Sequence, residues 1–146
     1  MRALNVIVLT AVLALAGTGA AHAVEVQTEQ AARDDCSGSA QAEITQCLTA
    51  KRDASVQALD AARAHANAAL AKWYEDAKYA RQATQRLAAA DQAFQRYRAA
   101  QCAFNRSLGG GAIGNALDMR SLACEVEMNL VRAEQLEQLA GRIRAR

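Results

Sequence analysis

The residue types that could do chemistry in this chain are four cysteines, a single histidine beyond residue 23, and a glycine-rich stretch. That stretch, FNRSLGGGAIGNALD at 104–118, places Gly109, Gly111 and Gly114 at G-x-G-x-x-G spacing. Such spacing cradles a pyrophosphate only when a strand precedes it and a helix follows. Here the preceding residues repeat apolar side chains at helical intervals. No alternating β-branched run signals a sheet, and no P-loop Gly-Lys-Ser/Thr follows. The glycines therefore read as an interhelical turn, with Gly109 capping the helix that ends at Leu108. No nucleotide or other cofactor is expected.

The remaining candidates argue against catalysis. His65 stands alone among alanines, and a lone histidine in that setting is not expected to form a Ser-His-Asp or Cys-His device. Cys36, Cys47, Cys102 and Cys124 are spaced C-x10-C and C-x21-C, which matches no zinc ribbon or finger, and no C-x-x-C redox pair occurs. The carboxylate pairs Glu125/Glu127 and Glu134/Glu137 read as solvated helix faces. No catalytic, cofactor-binding or metal residue is expected, and the chain is read as a non-enzyme.

The cysteines acquire meaning from the N-terminus. Arg2, an apolar run from Leu4 to Ala16 and the Ala21-His22-Ala23 cleavage pattern form a secretory signal peptide over 1–23. The run is too short to span a bilayer, so no stable membrane insertion is expected after cleavage. An even cysteine count in a small exported domain reads as two disulfides, in the periplasm or outside the cell. Four cysteines allow three pairings. Cys36–Cys47 and Cys102–Cys124 are preferred, because the Ser-Gly-Ser after Cys36 lets the chain fold back and the glycine turn brings Cys102 and Cys124 level.

The elements follow from composition. Residues 24–146 hold 30 alanines, 16 basic and 15 acidic side chains, and no proline. This favours helix and a thin core, and the near-neutral balance gives no reason to expect nucleic acid or an anionic membrane. Residues 24–40 read as an extended lead-in, with Ser39 as the N-cap of a single helical domain over 41–146. The fold class is all-α: an antiparallel bundle of about three helices. The first carries Ile44, Leu48, Leu59, Ala62, Ala66, Leu70 and Trp73 on one face, interrupted by Lys51, Arg52 and Ser55. A turn is placed at 75–81. The second carries Leu87, Ala90, Phe94, Tyr97, Gln101, Phe104 and Leu108. The third carries Met119, Leu122, Val126, Asn129, Ala133, Leu136, Ala140 and Ile143. With Cys102 opposite Cys124, Phe94 faces Arg132, Arg98 faces Met128 and Tyr97 faces Asn129. A buried amide needs a partner, and Tyr97 or Gln101 is expected to serve Asn129.

The segment from Leu87 to Leu136 resembles the lysozyme inhibitor LprI-like family. Its signature runs Leu-x3-Gln-x2-Trp-x2-Tyr-Arg-x3-Cys, a glycine-containing loop, then Cys-x4-Thr-x2-Arg-x3-Leu. Leu87, Tyr97, Arg98, Cys102, Cys124, Arg132 and Leu136 fit it. Asp91, Phe94 and Asn129 stand where the signature has Gln, Trp and Thr, and Ala99 where an Asp is common; residues 50–80 match poorly. The resemblance implies a small exported four-cysteine helical domain that binds and blocks a lysozyme-type wall hydrolase. Such clefts use carboxylates, so Arg98 and Arg132 are candidate partner-binding residues, with Trp73 as a candidate aromatic anchor. The alternatives are an envelope structural or stress adaptor, or a toxin-immunity protein, binding another protein through its helix faces.

Overall fold

The structure, a computed structural model, describes residues 24–145 apart from Ser39 and Ile113. The expected signal peptide over 1–23 and the expected Ser39 cap lie outside the described residues. Among the described residues four helices follow one another: α1 (Glu29–Asp35), α2 (Gln41–Ala71), α3 (Ala77–Ser107) and α4 (Ala116–Arg142). The fold class is thus all-α as expected, with four helices in place of three.

The additional helix lies in the segment read as an extended lead-in. Thr28 accepts a hydrogen bond from the Ala31 amide, satisfying one of the donors left free at a helix start. Glu29 then pairs with Arg33 one turn on. Seven residues cannot hold a helix in water. α1 persists because Ala32 is fully buried, and because Cys36 is bonded to Cys47 on α2 at a Cα–Cα distance of 5.6 Å.

α2 and α3 have 31 residues each, about 46 Å of rod. The turn between them falls at 72–76, upstream of the expected 75–81. Asp76 decides the position: its carboxylate accepts from the Lys78 amide and caps α3. The glycine stretch joins α3 to α4 as an interhelical turn. The left-handed conformation falls on Gly110 (φ 57°), one residue beyond the expected cap at Gly109, and again on Gly114 (φ 68°). Gly109 serves closeness, since a Cβ there would run into the Leu117 side chain.

The core lies between α2 and α4. One apolar cluster joins Leu59, Ala62 and Ala66 to Ala133, Leu136 and Ala140. A second joins Leu48 to Ala123 and Val126, closed by Ala32 of α1. Alanines on both facing stripes let the two helices approach closely, so the contact is tight but of small area. The expected α4 stripe is entirely buried or half-buried. The α3 stripe is not: Tyr97, Phe104 and Leu108 are exposed, and Cys102 is the sole buried residue of α3. Leu87 and Phe94 of that stripe do face inward, but the rest of the inward face is Asp91, Arg98, Cys102 and Asn105.

Candidate functional site

Between the two apolar clusters sits a polar layer. Asn129 is fully buried and its amide donates to the Ser55 hydroxyl at 2.9 Å; the hydroxyl in turn donates to the Arg52 carbonyl. The Asn129 carbonyl oxygen accepts from the Arg98 guanidinium. The expected partners, Tyr97 and Gln101, are not used, because Asn129 points between α2 and α3. Ser55, which interrupts the α2 stripe, and Asn129, which interrupts the α4 stripe, satisfy each other. Asn129→Ala strands Ser55 and Arg98 together, and should cost about 2 kcal/mol in chemical denaturation. Ser55→Ala should cost roughly half as much, because Asn129 keeps Arg98.

One turn further on, Asp91 of α3 accepts from Arg132 of α4 at 2.9 Å and lies 3.5 Å from Arg63 of α2. Phe94 lies between the guanidiniums of Arg98 and Arg132, at 5.8 and 5.9 Å from its ring centre. The expected Phe94–Arg132 pairing is therefore present. Met128 instead lies by the disulfide, 3.7 Å from the Cys102 sulfur. Cys102 and Cys124 are bonded, as preferred, with Cα atoms 5.6 Å apart.

These contacts open a cleft of about 480 Å³ along the α3–α4 seam. Phe94, Tyr97, Met128 and Val131 supply its apolar wall. Arg132 and Gln135 form one end. At the other end Glu127 accepts from the Glu29 amide at 2.7 Å, so a carboxylate from α4 caps α1, and Asn105 donates to the Glu29 side chain. Tyr97 at the rim is 60 % exposed.

Residues 32–136 match a family model described as lysozyme inhibitor LprI. The chain belongs to the LprI family. No curated protein and no solved structure matches it. The LprI signature positions divide sharply in this fold. Leu87, Phe94, Cys102, Asn129 and Leu136 pack or bond internally. Arg98 and Arg132 are committed to Asn129 and Asp91, and only Arg132 also faces the cleft. Tyr97 alone among the signature residues is largely exposed.

Trp73 lies outside this arrangement. It stacks edge-on with Tyr74 at 6.5 Å in the α2–α3 turn, roughly 30 Å along α3 from Tyr97. Glu75 holds the Tyr74 phenol above its ordinary value, first by a hydrogen bond and then by its negative charge. His65 is exposed and 2.6 Å from Glu137. Among the described residues no helix is long and apolar enough to cross a membrane.

Sequence reasoning did not identify Asp91, Ser55 and Arg63 as members of the network. Their signal was spacing: Asp91 falls four residues after Leu87 and seven before Arg98, on one helix face.

Proposed function

We propose that this LprI-family protein is exported, loses residues 1–23, and acts in the periplasm or outside the cell as a non-catalytic inhibitor of a lysozyme-type wall hydrolase. The target docks over the α3–α4 cleft. The observation that carries this reading is Tyr97, a signature residue that stands exposed at the rim of a cleft whose other signature residues are locked into the scaffold. Exposed tyrosine beside a preformed apolar cleft is the side chain most suited to anchoring a protein partner, since it buries a large ring at small entropic cost. Family membership and the two disulfides support the partner class and the oxidising compartment.

Arg132, fixed by Asp91 at the end of the cleft, meets the carboxylates of the target; Arg98 acts from behind by holding Asn129. The mature protein should inhibit muramidase lysis of cell-wall suspensions at micromolar concentration. Tyr97→Ala should raise the half-inhibitory concentration about tenfold or more, with an unchanged unfolding midpoint because the ring is largely in solvent. Lysis that proceeds unaltered at micromolar excess contradicts the proposal.

A further inference from the structure

The near-neutral charge of residues 24–146 conceals a strong segregation. The α2–α3 turn is tied to the C-terminus: the Tyr74 amide donates to the Arg144 carbonyl at 3.1 Å, and Trp73 bridges Ala145. This joins Lys72, Lys78 and Arg81 to Arg142 and Arg144 at one end of the rods. Among the described residues of this end the acids are Glu75 and Asp76, and Asp76 is occupied as a cap. Among the described residues none of these five cations forms an ion pair with an acid. At the other end, in and around α1 and about 40 Å away along α3, acidic side chains outnumber basic ones, and Arg33, Lys51 and Arg106 are each paired with an acid. That distance is several Debye lengths at physiological salt, so an approaching surface feels the basic end alone.

The same end carries aromatic rings in solvent. Tyr74 is 55 % and Tyr79 51 % exposed, and the Lys78 ammonium lies 5.7 Å from the Tyr79 ring centre. Rings with polar tips beside unpaired cations are the combination that seats at the headgroup level of a bilayer. We propose that this aromatic–basic tip docks peripherally on an anionic lipid surface, leaving the α3–α4 cleft facing away along the rods. The contact is electrostatic with ring insertion at headgroup depth; no helix enters the hydrocarbon.

Trp73 is the sole tryptophan and lies in the tip, so it reports the contact directly. The mature protein should co-sediment with vesicles containing about a third phosphatidylglycerol and not with pure phosphatidylcholine, with a blue shift of Trp73 emission. Binding should fall at least about tenfold at roughly 0.5 M salt, and by a similar factor in Lys78→Glu/Arg81→Glu. Equal partition to neutral and anionic vesicles, absence of partition, or full retention in high salt overturns the proposal. Should the charge-reversed variant lose its helical spectrum, the lipid and salt series on the unaltered protein decides the matter. Muramidase inhibition should be unchanged by the charge reversal, which separates this surface from the cleft.

Discussion

Leu136→Ala should lower the unfolding free energy by about 3 kcal/mol or more, seen as a loss of roughly 10 °C in the thermal midpoint. Leu136 has no exposed surface and sits among Leu59, Ala62, Ala66, Ala133 and Ala140. In this cluster, four alanines and two leucines, area is scarce and each leucine contributes a large share of it. The backbones of α2 and α4 are already close, so neighbouring alanines cannot move inward to fill the vacated space. Truncation therefore leaves a cavity as well as removing buried surface. An exposed leucine gives the control: Leu139→Ala, three residues on and 51 % exposed, should change stability by less than about 0.5 kcal/mol. Equal effects at the two positions would show that the α2–α4 seam is not the core.

Replacing Cys102 and Cys124 together by serine should cost about 3 kcal/mol, the loop entropy restored to an unfolded chain whose cross-link spans 22 residues. The effect should be uneven across the molecule. Cys102 is the one buried residue of α3, so the bridge is the main apolar attachment of that helix beyond Leu87 and Phe94. Without it, amide exchange should accelerate over 94–107 well before α2 and α4 open. Muramidase inhibition should fall in step, because the cleft exists only while α3 stays against α4. Replacing Cys36 and Cys47 instead should loosen α1 and spare 94–107. A uniform loss of protection in both variants would contradict this division.

The α4 helix was legible because its apolar positions, Met119 to Ile143, recur every three or four residues and all of them face protein. α3 shows the same periodicity with a different outcome. Its apolar spacing marks a face that stands largely in solvent, while the inward face carries Asp91, Arg98 and Asn105. Apolar periodicity does not register charged residues turned inward, and these turn inward because each meets a partner on another helix. The antiparallel register derived from the glycine turn gave the Cys102–Cys124 bridge and the Phe94–Arg132 contact correctly. It did not give the partner of Asn129, since a two-helix register omits α2 and with it Ser55. α1 was missed because five polar residues and two alanines carry little periodic signal; its stability comes from buried Ala32, a disulfide and the Glu127 carboxylate at its start. Tyr97 was read as a seam residue facing Asn129, and its exposure is what makes it the candidate anchor.

The central claim, that a muramidase docks over the α3–α4 cleft, is tested most directly by hydrogen exchange of the mature protein with and without the bound enzyme. Protection confined to segments around 94–105 and 127–135 is the predicted footprint. Protection over the 72–81 turn with none at the cleft, or no change anywhere under saturating enzyme, would contradict it.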